Sequence, residues 1–301
     1  MILVYPFIRE DIDFYSEGTR CSGWLYLPAT RYPAPVIVMA HGLGALRDMR
    51  LDVYAQRFAQ AGLACFLFDY RNFGASEGQR RQLINVQHQL TDWREAIEWV
   101  KREPRVDATQ LYLFGTSFSG GHVIQLAAER QDIIATIAQC PYTDTWATTR
   151  AVPFFSLLKM MPYLVADILS MVRGYRPVML KLAGNKGEGA LMTVSDHDDS
   201  ASRMIGEANF INQVPARTLL EFLKYSPGKL AREVTTPIYF ALCKKDTIAP
   251  ASASLKWARQ AANATIKEYD CAHFEIYLDP MFEAVIQDYI EFYRTICQQK
   301  K

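Results

Sequence analysis

Three residues far apart in the chain, Ser117, Asp246 and His273, are of the types that together turn a hydroxyl into a nucleophile. A serine hydroxyl is weakly nucleophilic at neutral pH. It needs an imidazole to take its proton and a carboxylate to orient that imidazole and stabilise its charged form. Serine first, acid second and histidine near the C-terminus is one of the chain orders in which this constellation recurs. The chemistry it supports is acyl transfer through a covalent intermediate.

The residues around Ser117 supply the local geometry. Leu111–Phe114 reads as a short buried strand, residues 115–120 as a turn, and Phe118 to about Arg130 as a helix. A strand that becomes a helix within a few residues must turn sharply, and Gly115, Gly120 and Gly121 are small enough to allow it. Ser117 then sits at the apex, near helix N–H groups that can stabilise developing negative charge. This is the strand–elbow–helix setting of a G-x-S-x-G nucleophile, except that Ser119 stands at the second glycine. A serine is small enough to pass under the neighbouring strand.

Other residues compete for the same roles. His41 opens the His41-Gly-Leu-Gly44 loop and reads as positioning it; His88, at the start of an amphipathic helix, reads as surface. His122, one turn past Ser117, reads as packing. His197 lies in Ser-Asp-His-Asp-Asp, where closely spaced charged residues read as solvated and not as a metal site. Among the carboxylates, Asp69 follows a strand but precedes the serine and introduces a turn. Asp144 follows the strand after the elbow strand, a position the acid can occupy, and stays open behind Asp246.

The elements that must hold these residues follow in order. Residues 3–8 and 20–27 read as antiparallel strands joined by polar Arg9–Thr19, and Val36–Ala40 as a strand buried on both faces. Leu51–Ala61 reads as helix and Ala64–Phe68 as a second buried strand. Val86, Leu90, Trp93, Ile97 and Val100 mark an amphipathic helix. After the elbow and an Ile133–Ala138 strand the βα rhythm stops. Helical apolar segments, Phe154–Val172 and Phe210–Tyr225, flank a Gly-, Ser- and Asp-rich piece, Gly184–Gly206. The rhythm resumes with strands at Pro237–Leu242 and Thr265–Tyr269 and a last helix carrying Phe282, Ile286, Tyr289, Phe292 and Ile296. The expected fold class is α/β: a mostly parallel central sheet flanked by helices, built from residues 1–140 and 234–301, with 141–233 an inserted, mainly helical cap.

Composition narrows the function classes. A net charge of +1 spread over 301 residues argues against a nucleic-acid surface. The six cysteines are widely spaced without a C-x-x-C pair, so they read as buried hydrophobes in a reducing compartment. Met1–Ile8 is too short for a signal peptide. Ala151–Val172 contains Lys159, Pro162 and Asp167 and reads as a poor membrane span. The expectation is a soluble cytoplasmic protein with no metal and no organic cofactor, its oligomeric state (a homodimer included) open.

With these residues in hand, the sequence resembles the α/β-hydrolase superfamily over nearly its whole length. The match runs through Val36–Gly44, Asp69-Tyr-Arg-Asn-Phe-Gly-Ala-Ser-Glu-Gly78, the elbow, the strand ending at Asp246 with Pro250 beyond, and the His273 loop. Arg81-Gln82, Asp92–Ile97, Gly115–Val123 and Ala272–Tyr277 are similar to a branch described as dienelactone-hydrolase-like, acetylxylan-esterase-like and polyketide-transferase-like. The resemblance implies an oxyanion hole from the backbone N–H groups of Leu43 and Phe118, and a cap over the acyl pocket. Lys244-Lys245 stand where small residues often precede the acid. The implied activity is a serine esterase or thioesterase acting on a small-molecule acyl substrate. An acyltransferase with the same machinery and a non-catalytic small-ligand binder are the alternatives.

Overall fold

A computed structural model of the chain describes residues 4–31, 33–185, 187–194 and 199–299. The chain opens with β1 (Phe7–Ser16) and β2 (Thr19–Pro28), followed by β3 (Ala34–Ala40), α1 (Leu51–Gln60) and β4 (Ala64–Phe68). Then come α2 (Val86–Lys101), β5 (Val106–Thr116), α3 (Phe118–Glu129) and β6 (Ala135–Gln139). These strands, with β11 and β12 introduced below, form one eight-stranded sheet in the order β1-β2-β4-β3-β5-β6-β11-β12. Only the β1–β2 and β2–β4 pairings are antiparallel. From β4 onward every neighbour is parallel.

Every residue of β4, β6 and β11 is buried, as expected for parallel strands covered on both faces. Those runs are among the ones that read as strands in the sequence. The first pairing differs from the expectation. Arg9–Thr19 is not a connector; most of it is β1 itself, which turns back into β2 through Glu17-Gly18. Both turn residues have positive φ, 48° and 78°, the conformation whose twist matches a two-residue hairpin.

Residues 141–233 carry α4 (Thr145–Ala151), α5 (Phe154–Val172), β7 (Met179–Lys181), β8 (Ala183–Gly184), β9 (Met192–Thr193), α6 (Ser200–Ile205), β10 (Gln213–Pro215) and α7 (Thr218–Lys224), then a 3-10 turn at Pro227–Glu233. The strands pair only with each other, β7 with β10 and β8 with β9. The expected helix over Phe210–Tyr225 is broken: Gln213–Pro215 is extended against β7, and only Thr218–Lys224 is α-helical. Proline has no N–H to continue a helix and clashes with the preceding turn. The core resumes with β11 (Ile238–Cys243), α8 (Ala251–Ala258), β12 (Ala264–Tyr269), a 3-10 turn at Glu275–Tyr277 and α9 (Met281–Gln299). Tyr54 of α1 meets Phe282 and Tyr289 of α9 with ring centroids 4.8 and 6.3 Å apart.

The consequence for function is positional. β3, β5, β11 and β12 run the same way, so the loops that begin at His41, Ser117, Lys244 and Asp270 leave one edge of the sheet together.

Candidate active site

Ser117 lies between β5 and α3 with φ 57° and ψ −117°. Its N–H donates to Gln139 O at 2.9 Å, and its carbonyl accepts from Tyr142 N at 2.8 Å, so the end of β6 grips the apex from both sides. The glycines are needed because of what lies against them. A Cβ on Gly115 would meet Ser119 O at 2.2 Å, on Gly120 Pro141 Cα at 2.8 Å, and on Gly121 Tyr142 O at 2.5 Å. Gly42 is held still more directly by the site. A methyl there would come within 2.7 Å of Ser117 Cβ and 3.1 Å of its Oγ.

Ser119 does more than fit. Its hydroxyl donates to His41 O at 2.5 Å and meets Tyr70 Oη, which in turn accepts from Trp93 Nε1 at 2.7 Å. A chain of donors thus runs from α2 through the loop after β4 and the elbow to the glycine loop. The same region is tied by Arg71, whose Nε and N donate to Asp92 at 2.7 and 3.0 Å. Size alone suggested a tolerated substitution at position 119; the polar network was invisible because its members are distant in sequence.

The structure brings Ser117, His273 and Asp246 into one line. His273 Nδ1–H donates to Asp246 Oδ2 at 2.6 Å, and Nε2 lies 2.9 Å from Ser117 Oγ, placed to accept its proton. Asp246 is fixed by the loop it begins: Oδ1 accepts from the N–H groups of Ile248 and Ala249 at 2.8 and 2.7 Å. Burial disfavours the His273 imidazolium, but the Asp246 carboxylate and the neighbouring Cys140 together outweigh it and hold the pKa well above the ordinary imidazole range. Lys244 and Lys245 are exposed and leave this geometry intact.

The competitors are placed elsewhere. His41 donates from Nε2 to Met49 O at 2.8 Å and accepts Gly42 N at Nδ1, while burial lowers its pKa to about 4. It is a neutral ring that shapes the glycine loop. His122 is buried against Tyr225 and Gln89, burial lowering its pKa to about 3, and His88 is exposed. Asp69 accepts from Arg47 N and Ala75 N, and Asp144 caps α4 through Ala147 N. His197 lies outside the described residues.

The two residues expected to supply the oxyanion hole border the same space. Leu43, in the glycine loop, and Phe118, the first residue of α3, both line the cleft beside Ser117. Among the described residues neither N–H donates to a backbone carbonyl outside its own element. Ser117 stands between two apolar clefts. One is walled by Phe118, Tyr142, Val152, Leu191, Phe222 and Ile248, the other by Met49, Met204, Ile205, Phe210, Phe274 and Tyr277, with Leu43 and Met192 shared. Among the described residues neither lining contains an Asp or Glu. Much of both walls comes from 141–233.

Sequence spacing missed one grouping. Cys140, Cys243 and Asp246 bring three ligand atoms within 4.8 Å of one another. An ion there would have to draw Asp246 away from His273 and two backbone N–H groups. The neighbouring Cys140 and Cys271 thiols, with burial, raise the Cys243 pKa well above its usual range.

Known proteins resemble this chain along its length. The family model described as serine aminopeptidase, S33 matches residues 31–281. The chain is 40% identical over 291 residues to the quorum-quenching protein AidA of Acinetobacter baumannii, covering 96% of each. It is 25% identical to the thiohydrolase aneE of Aspergillus aculeatus, covering 97% of this chain and 94% of the relative. The polyketide transferase ATR5 of Stachybotrys chlorohalonatus is 29% identical, with 80% of each chain covered. The α/β hydrolase GrgF from Penicillium shares the fold, with a TM-score of 0.79 at 21% identity over 96% of this chain and 98% of that one.

Proposed function

Because the chain belongs to the serine aminopeptidase S33 family of α/β hydrolases, we propose that it is a serine hydrolase that cleaves a carboxylic ester or thioester through an acyl-enzyme on Ser117. The observation that carries the reading is the hydrogen-bonded line Ser117–His273–Asp246, at 2.9 and 2.6 Å, at the apex of a strained elbow. Ser117 Oγ attacks the carbonyl carbon while His273 Nε2 takes its proton, and Asp246 holds the other face of the ring. The oxyanion is received by the N–H groups of Leu43 and Phe118. His273 then protonates the leaving alcohol or thiol, and water, activated by the same imidazole, releases the acid. Residues 141–233 act as the cap that walls both clefts. No step calls for a metal or an organic cofactor.

Apolar walls on both sides of the serine support an ester or thioester flanked by uncharged groups. A peptidase that binds a substrate's α-ammonium group needs a carboxylate to receive it, and among the described residues neither lining supplies one. A second reading is acyl transfer, in which an alcohol or amine replaces water; the names of the polyketide-transferase relatives favour keeping it. The test is turnover of p-nitrophenyl esters of graded chain length, with and without competing alcohols. Hydrolysis that Ser117→Ala abolishes supports the first reading. Products that are mainly alcohol esters support the second. Turnover unchanged in Ser117→Ala rejects both, and folded wild-type protein that turns over none of these esters leaves the non-catalytic binder.

A further inference from the structure

α5 carries its apolar residues on the wrong side for a helix at the surface of a water-soluble protein. Its inner stripe, Ser156, Met160, Leu164 and Asp167, is buried and half polar. Its outer face presents Phe154, Phe155, Leu158, Val165, Leu169 and Val172, each between 48% and 77% exposed. With aromatic side chains at ~150–250 Å² apiece, this face exposes on the order of 600 Å². That reaches the top of the ~300–600 Å² range of largest patches on ordinary monomers. The helix is long and apolar enough to cross a membrane by length and composition. It is nonetheless fastened flat to the protein. Asp167 accepts from Arg217 Nε and Nη2 at 2.8 and 2.7 Å and from Val178 N at 2.8 Å.

The charges around this face identify what covers it. Between Thr145 and Lys181 the sequence has five basic residues and one acidic residue. The acidic one, Asp167, is spent on Arg217. Arg150, Arg173 and Arg176 are exposed and form no ion pair among the described residues, and exposed Lys159 reaches only the Gly187 carbonyl. Trp146 and Tyr175, 66% and 71% exposed, lie in sequence beyond the two ends of the helix. Glu188, beside Lys159, is taken up by Lys181, so Arg150, Arg173 and Arg176 leave the ends of this face net basic. Pairing two such faces would set like charges together. The basic fringe does complement an anionic lipid surface, where Trp, Tyr, Arg and Lys sit at the headgroup level. We propose that the outer face of α5 docks flat on anionic bilayers, burying its apolar side chains to the acyl boundary. Ala151 and Val152, immediately before α5, line a cleft beside Ser117. If the hydrolase reading holds, docking also brings that cleft to the lipid; docking itself does not depend on it.

The test is co-sedimentation of the full chain with vesicles of phosphatidylcholine, alone or mixed with phosphatidylglycerol. The protein is expected to pellet with the mixed vesicles at least tenfold more tightly than with the neutral ones. Phe154→Ser/Phe155→Ser/Leu158→Ser, all exposed and therefore neutral for folding, should abolish pelleting without lowering Tm. Arg173→Ala/Arg176→Ala should weaken it on the order of tenfold. Ser117→Ala should pellet like the wild type, so loss of turnover and loss of docking are read separately. Protein that stays in the supernatant, or pellets equally with neutral vesicles, overturns the proposal. Light scattering that finds a dimer which the triple serine variant dissolves, in protein that does not pellet, would assign the face to a second copy.

Discussion

Ser117 is held at φ 57°, a backbone conformation that costs a non-glycine residue on the order of 1–3 kcal/mol and persists only where its surroundings enforce it. Those surroundings are specific, and two substitutions probe them. Gly42→Ala places a methyl 2.7 Å from Ser117 Cβ, so either the serine or the glycine loop must move. A displacement near 1 Å at a reacting atom can cost about 10²-fold, and a fall in kcat/KM of that order is expected with little change in Tm. Ser119→Gly restores the usual five-residue motif, yet it removes the donor to His41 O and leaves buried Tyr70 Oη short of a partner. Loss of about 1–3 kcal/mol of stability is expected, read as a lower denaturation midpoint at constant m. A variant as stable as the wild type would show that the relay contributes nothing.

His273 makes the pH dependence of turnover predictable in sign. Its pKa is raised because Asp246 and Cys140 together outweigh burial, and only the neutral ring can accept the Ser117 proton. Turnover should therefore rise with pH through a limb above the ordinary imidazole value of about 6.5. Asp246→Asn removes the charge that favours the imidazolium, so the limb should move down while kcat falls by about 10⁴-fold. A limb that does not move would mean that another group titrates.

At the scale of elements, the Asp69–Gly78 loop and the Asp92–Ile97 stretch stand out in the sequence as separate motifs, but they are partners. Arg71 is paired with Asp92, which is wholly buried, and with the half-exposed Glu17. Asp92→Ala leaves a mostly buried guanidinium with one solvent-screened partner. Breaking such a pair costs about 3 kcal/mol, measurable as a drop in Tm while the Ser117–His273 geometry survives. The strands buried on both faces were legible as continuous apolar runs, and so were the helices with one apolar stripe. β1 was less legible because its alternation is interrupted by Arg9, Glu10 and Asp11, and because Glu17-Gly18 is a weaker hairpin signal than Asn-Gly. The ribbons β7–β10 and β8–β9 are two or three residues long and take their pairing from tertiary contacts. Nothing in the periodicity of α5 shows that its more apolar face points outward. The helix is seated by Asp167 on Arg217 and by buried Met160 and Leu164.

Taken whole, the molecule delivers Ser117 and His273, 156 positions apart in sequence, to one hydrogen bond. That Ser117, Asp246 and His273 would meet was readable because each follows a strand, and parallel strands in one sheet deliver their loops to one edge. The shape of the clefts was not readable, since it depends on how the chain between β6 and β11 folds back over that edge. The central claim is that Ser117 is the nucleophile of an acyl-enzyme. The most direct measurement is incubation of the folded protein with a fluorophosphonate, followed by intact mass and peptide mapping. A single adduct on the peptide containing Ser117, absent in Ser117→Ala and slowed in His273→Ala, is the predicted result. Folded protein that stays unlabelled, or an adduct on any other residue, would contradict it.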